Sequence, residues 1–502
     1  MSIAALTWSS PERAAARAAD RGADRGARRT ADAWRATFVL AAVLPALPLA
    51  VQIVDARLAA LTLGILGVCA YGVVESCTGG ARPMALLFWV FNGIWLGVGS
   101  LYQLAAGRVA WGDTLLLGDT NRVIQAQALT LACLLAFAVG YTRRRTSAPA
   151  AAPLTHFGRA LLLGYGFAGL AVVLLPRVAG SVGGVGGLFH AREAADGTGT
   201  TATAATDAAE RAADGFLRIL PASLALAAAF IALTTLLQLH AVRDDDDDPR
   251  PRLAVGLAGL LAVIGVGLMV LYANPLSMSR YISVSMFAAL AVLVGAPRRP
   301  RAAAVTAAIA VAGLLLVYPL AYTLRGLPSE VPPGSSRWAA LSTNDFDGFQ
   351  QVVNTVQYTQ DLGHTYGLHT LSAALYVVPR SIWTAKARSS SLDVAEHRGY
   401  QFIDLSEPLH AELFLDFGWG AVLLMGGVGL LWRRLDDAWL TRAGPPALLV
   451  PYLCVGQLGL LRGPLGSLVP VIATTTGLLA VALWARRGHH PPDHGTSRGI
   501  QT

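Results

Sequence analysis

Charge is scarce in this chain. Only 14% of its 502 residues are Asp, Glu, Lys or Arg, against 54% hydrophobic, and lysine is nearly absent. A water-soluble domain seldom carries so little charge, so lipid is the expected solvent. Cysteine is also sparse. Cys69, Cys77, Cys133 and Cys454 have neither the spacing of zinc ligands nor the density of a disulfide framework, and they read as small apolar packing residues. No metal and no cofactor is expected, and no separate soluble domain fits between the apolar runs.

What the chain has is apolar segments of span length along almost all of it. They fall near 36–54, 57–74, 84–105, 123–141, 157–176, 216–239, 253–272, 278–296, 302–322, 412–432, 446–462 and 465–485. The net charge of +8 would suggest nucleic acid in a soluble protein. Here the arginines sit in short segments between apolar runs, as topology determinants do, so no nucleic-acid partner is expected. With the N-terminus inside, Arg143, Arg144, Arg145, Arg243, Arg250, Arg252, Arg298, Arg299, Arg301, Arg433, Arg434, Arg486 and Arg487 all fall in inner loops.

The expected fold is therefore an all-α polytopic integral membrane protein of about twelve transmembrane helices, with both termini cytoplasmic, in the cytoplasmic (plasma) membrane. A basic cytoplasmic tail (1–35) precedes spans one to nine (36–322). A large extracytoplasmic loop (323–411) follows, then spans ten to twelve (412–485) and a cytoplasmic tail (486–502). Residues 179–215 read as a Gly-, Ala- and Thr-rich outer loop, and Asp244 to Asp248 as a solvated charge run lacking the spaced ligands of a calcium loop.

The long loop is the anomaly, because Arg325, Arg337, Arg380, Lys386, Arg388 and Arg398 place positive charge where topology does not require it. Phe346, Phe349, Val353 and Val356 recur at helical spacing behind Asn344 and Asp345, and Leu368, Leu371, Leu375 and Val378 do so before Pro379. Two short amphipathic helices are expected, lying on the membrane surface or folded back over the bundle, with Trp338 and Trp383 as interfacial anchors.

Ionisable residues at the outer ends of spans are the sharper chemical signal, since burying one in a bundle is expensive. Arg280 follows Asn274-Pro275, Glu412 and Asp416 open one span on a shared helix face, and Arg462 closes another. Two readings stand: the arginines pair with Glu412 or Asp416 to hold helices together, or they form an outward anion site, for which the guanidinium fork suits phosphate oxygens. His364 and His369 are five apart, which does not put two imidazoles on one helix face for a metal. Either could instead accept a proton from a sugar hydroxyl.

The order of these features resembles the O-antigen polymerase (Wzy) family and its oligosaccharide repeat-unit polymerase relatives. The similarity runs through Asn274-Pro275 with Arg280, Asp345-Phe346-Asp347, His364-Thr365-Tyr366-Gly367, and Pro379-Arg380-Ser381-Ile382-Trp383-Thr384-Ala385-Lys386. It continues through Ser406-Glu407-Pro408, Glu412 to Gly418, and Leu461-Arg462-Gly463. It covers roughly the C-terminal half. The sequence departs from the pattern at Ala387, where proline is expected, and at Asp416, where asparagine is familiar.

The resemblance implies inverting glycosyl transfer at the outer face, with polyprenyl pyrophosphate leaving and the sugar of another lipid-linked repeat unit accepting. Arg280, Arg380, Lys386 and Arg462 are the residues expected at the pyrophosphate, with Glu412 or His364 serving the acceptor hydroxyl. The implied partners are polyprenyl-pyrophosphate-linked oligosaccharides, the lipid bilayer and a chain-length regulator. The alternatives are an O-antigen-ligase-like glycosyltransferase and a twelve-span lipid-linked oligosaccharide flippase or transporter.

Overall fold

The computed structural model describes residues 33, 35–78, 80, 82–112, 115–142, 157–180, 184–189, 204–241, 250–274, 280–295, 337–400, 405–441 and 444–484. Every regular element among them is helical. An apolar helix, Arg35–Ala50 (α1), leads into Ala56–Cys77 (α2), Pro83–Ala106 (α3), Thr120–Thr142 (α4) and Phe157–Gly180 (α5). Ala204–Ala241 (α6), Arg250–Tyr272 (α7) and Arg280–Gly295 (α8) follow.

Among the described residues, seven helices are long and apolar enough to cross a membrane: α2, α3, α4, α5, Ile219–Leu239 within α6, Arg252–Tyr272 within α7, and Leu465–Trp484 near the C-terminus. Three shorter apolar helices accompany them: α1, Ser285–Val294 within α8, and Leu449–Arg462. The chain is thus helical and of membrane-protein type. The expected span at 302–322 lies outside the described residues, as do Asp244 to Asp248, most of the N-terminal tail and the C-terminal tail.

The expected span 412–432 is not one helix. It divides into Leu409–Phe417 (α12) and Gly420–Thr441 (α13) at Gly418, whose φ of 57° and ψ of −139° end the first helix. Only glycine takes this backbone readily, and a Cβ there would also lie 3.0 Å from the His364 ring. The charged cluster Arg433, Arg434, Asp436 and Asp437 near the far end of α13 further separates it from the seven long apolar helices. Gly444–Arg462 (α14) and Leu465–Trp484 (α15) are the last two described helices.

Two details explain how the bundle closes. The α4 and α13 backbones touch through small residues: a Cβ on Gly140 would stand 2.0 Å from the Gly426 carbonyl oxygen, and one on Gly429 would stand 2.2 Å from that of Phe137. Asp436 of α13 caps α3 from a distance in sequence, accepting the Met84 and Ala85 N–H groups at 2.9 and 3.0 Å and the Tyr141 hydroxyl at 2.7 Å. The two backbone N–H groups are donors the first turn of a helix leaves open.

The opposite end of the bundle carries residues 337–400 and 405–407, whose described part holds three α-helices. Gly348–Leu362 (α9) and Leu368–Ala374 (α10) correspond to the two periodic stretches, and Ser390–Arg398 (α11) has no such pattern in the sequence. The two periodic helices behave differently. On α9, Phe349, Val352, Val353 and Val356 join the main apolar core, while the polar Gln350, Gln351, Asn354 and Thr355 are fully buried as well. This helix folds into the bundle. By contrast α10 leaves Leu368, Leu371 and Leu375 exposed.

Candidate functional site

The polar layer at this end is assembled from α9, α12 and the turn between α14 and α15. Buried polar side chains need partners, and here each of three elements supplies them to the others. Asp347, at the start of α9, accepts from Trp111 Nε1 at 3.0 Å, the Ser406 N–H at 3.2 Å and Gln351 Nε2 at 3.4 Å, all on Oδ2. Arg462, at the end of α14, donates from Nε to Ser406 Oγ at 3.3 Å and lies 3.6 Å from the Asp345 carboxylate. Its carbonyl accepts the Glu407 N–H at 2.7 Å.

Two buried glutamates face this turn. Thr355 Oγ1 donates to Glu407 Oε1 at 2.9 Å, and the Leu465 N–H donates to Glu412 Oε2 at 2.6 Å, so that Glu412 caps the first turn of α15. Each keeps one oxygen, Glu407 Oε2 and Glu412 Oε1, without a hydrogen-bond partner among the described residues, and Asp347 Oδ1 is in the same state. Burial disfavours the charged carboxylate. It pushes Glu412 up to about 7 against the help of the Leu465 N–H. It also lifts Glu407 well above the carboxylate range, reinforced by the neighbouring Glu412.

The far end of α12 carries the opposite electrostatics. Asp416 Oδ1 accepts Thr365 Oγ1 at 2.5 Å, and its Oδ2 accepts the Thr370 N–H at 2.7 Å and Thr370 Oγ1 at 2.5 Å. The His369 ring lies between Asp416 Oδ1 at 3.3 Å and Asp393 Oδ2 at 3.0 Å. Burial opposes charge on the imidazole, but the two carboxylates overcome it and hold His369 at about 9. Asp416 is itself pulled down to about 2, its burial outweighed by His369, Thr365 and Thr370. Arg388 extends the network, donating to Asp393 at 2.7 Å and to both oxygens of Glu396.

No family model, curated protein or solved structure matches the chain. The site is therefore read from its own residues.

Of the six expected site residues, Glu412 and Arg462 come together at the α14–α15 turn. Arg280 is the first residue of α8, a helix packed on α14, and its side chain lies outside the described residues. His364 is elsewhere: its ring packs edge-on against Phe414 at 5.4 Å and over Gly418. Arg380 and Lys386 are engaged by backbone. Arg380 donates to the carbonyls of Lys386 and Ala387 at 2.5 and 2.7 Å, and Lys386 Nζ to those of Leu375, Tyr376 and Val378 at 3.1, 3.0 and 2.9 Å.

Arg462, for which pairing with Glu412 or Asp416 was one of two readings, has the Asp345 carboxylate 3.6 Å away. Although Glu412 and Asp416 are four apart on α12, they serve different partners, Leu465 and His369. Among the described residues no group of three His, Cys, Asp or Glu side chains is placed to hold a metal ion. The residues that the sequence did not mark as candidates are Asp347, Glu407 and Asp393, while His369, weighed there as a proton acceptor, stands instead between two carboxylates.

Proposed function

We propose that this chain is a membrane glycosyltransferase of the oligosaccharide repeat-unit polymerase type, acting on polyprenyl-pyrophosphate-linked glycans at the α14–α15 turn. The observation that supports this reading is Glu412. Its carboxyl is buried, titrates near 7, keeps Oε1 uncommitted, and is fixed by the Leu465 N–H on the turn that begins with Arg462. A base that titrates near the working pH is the kind that general base catalysis requires.

In this reading Glu412 takes the proton of the acceptor sugar hydroxyl as the hydroxyl oxygen bonds to the anomeric carbon of the donor. The bond from that carbon to the pyrophosphate oxygen breaks, and its electron pair leaves with the pyrophosphate. Arg462, with Arg280 as the second cation on the adjacent helix, offsets the developing charge. Arg380 and Lys386 drop out of the phosphate set because their donors serve backbone carbonyls. The residues covering Glu412 must move for substrate to reach it, since it is fully buried.

The test is the purified protein in liposomes supplied with a polyprenyl-pyrophosphate-linked oligosaccharide. The wild type should give a ladder of lengthened lipid-linked glycans. Glu412→Gln and Arg462→Ala should each slow it by about a hundredfold or more, as loss of general base or charge stabilisation does. Unchanged ladders in both variants would reject the assignment. Movement of the glycan across the bilayer without lengthening would replace polymerase by flippase.

A further inference from the structure

Residues 366–389 leave the polar layer and run along α15. Gly367 lies against Phe417, where a Cβ would meet the ring at 2.9 Å, so the segment starts near the junction of α12 and α13. By Tyr376 it has reached Thr474, whose hydroxyl lies 3.3 Å from the Tyr376 hydroxyl. By Ser389 it has returned to Gly466, where a Cβ would stand 3.7 Å from the Ser389 Cα. Thr474 is nine residues into α15, about 14 Å along the helix axis at 1.5 Å per residue. That is roughly half the ~30 Å hydrocarbon thickness.

The exposed surface of this segment mixes apolar side chains with Arg380, Ser381, Thr384 and Arg388. Leu371, Leu375, Val377 and Ile382 are exposed, Val377 and Ile382 by 70% and 77%. No Asp or Glu occurs between Asp361 and Asp393. The exposed face continues onto Trp419 and onto Leu423 of α13.

Backbone at membrane depth must be satisfied from within the protein, and this segment does that. Lys386, the chain's one lysine, donates to three carbonyls just after α10, of which that of Leu375 also accepts the Val378 N–H. Arg380 closes those of Lys386 and Ala387, and Ser372 Oγ accepts the Ala387 N–H at 3.0 Å. The ammonium also sits at the carbonyl end of α10, where positive charge is favoured.

We infer that residues 366–389 form a re-entrant hairpin dipping into the bilayer beside α15, with Leu371, Leu375, Val377 and Ile382 facing lipid acyl chains and Lys386 and Arg380 serving as its internal backbone donors. The two cations that looked like ligand groups are then what allows non-helical chain at that depth. This holds whether or not the chain is a glycosyltransferase.

Depth measurement decides it. In a variant whose four cysteines are replaced, single nitroxides are placed at Val377 and Ile382, with Val263 on α7 as the lipid reference and Glu396 on α11 as the aqueous one. The protein is reconstituted in phosphatidylcholine and phosphatidylglycerol vesicles. Relaxation by oxygen and by a water-soluble nickel chelate is then compared. At 377 and 382 the oxygen-to-nickel ratio should match that at 263 and exceed that at 396. In a Lys386→Met background it should shift toward the aqueous reference, and Lys386→Arg should hold it nearer the lipid one. Nickel access at 377 and 382 equal to that at 396, or shielding there from both reagents, would overturn the hairpin.

Discussion

Replacing His369 by glutamine should remove a pH-dependent part of the protein's stability. In the fold the imidazole is held at about 9 against an ordinary 6.5, because Asp393 and Asp416 flank it. A raised pKa means the folded state binds the proton more tightly than the unfolded chain does. The contribution is therefore complete below pH 6.5, declines as pH rises, and is gone above about 9. At roughly 1.4 kcal/mol per pKa unit the shift is worth about 3–4 kcal/mol. His369 is only 3% exposed, so solvent screening takes little from that figure. Thermal unfolding followed by tryptophan fluorescence in detergent, at pH 6 and pH 10, reads it out. Wild type should exceed His369→Gln by several degrees at pH 6, and the gap should close at pH 10. A gap of the same size at both pH values would show that the ring packs there without carrying charge.

Two further outcomes test the bundle. Asp436→Ala leaves the Met84 and Ala85 N–H groups and the Tyr141 hydroxyl without their shared acceptor. It should cost at least about 2 kcal/mol, seen as earlier labelling of the buried thiols of Cys69, Cys133 and Cys454 by a thiol-reactive dye on heating; unaltered labelling would dismiss the remote cap. Gly429→Ala places a methyl against the Phe137 carbonyl and should destabilise by about 1–3 kcal/mol. Gly427→Ala, where nothing lies within 4 Å, should not, and equal effects would contradict the close α4–α13 approach.

The apolar helices were legible because hydropathy over some twenty residues is a local property. The helices α9 and α10 were legible for the same reason, through 3.6-residue periodicity. The break at Gly418 was not: the run from Glu412 onward is apolar on both sides of it, and the His364 ring that would crowd a side chain there comes from another part of the chain. His369 was passed over as a charged centre because its partners lie 24 and 47 residues away. Lys386 and Arg380 were expected at a phosphate because an exposed-looking cation advertises charge, whereas a backbone carbonyl that accepts from it leaves no mark in the sequence.

The layer above the bundle divides its ionisable groups by what surrounds them. Asp416 receives two hydroxyls, two backbone N–H groups and a flanking imidazole, and is held ionised. Glu412, one turn earlier on the same helix, receives the Leu465 N–H, with the Ser390 hydroxyl nearby, in a buried setting and titrates near neutrality. If both glutamates were purely structural, a fully bonded or apolar side chain at 407 and 412 would hold the turn with less desolvation penalty. Carboxyl oxygens left without partners beside Arg462 are a standing cost, and such costs concentrate where a site requires them. The conservative exchange separates the two cases. Glu407→Gln keeps an acceptor for Thr355 and removes only the ionisable proton, so a structural role predicts unchanged melting and unchanged glycan lengthening. A role in proton handling predicts unchanged melting with a displaced pH profile of lengthening.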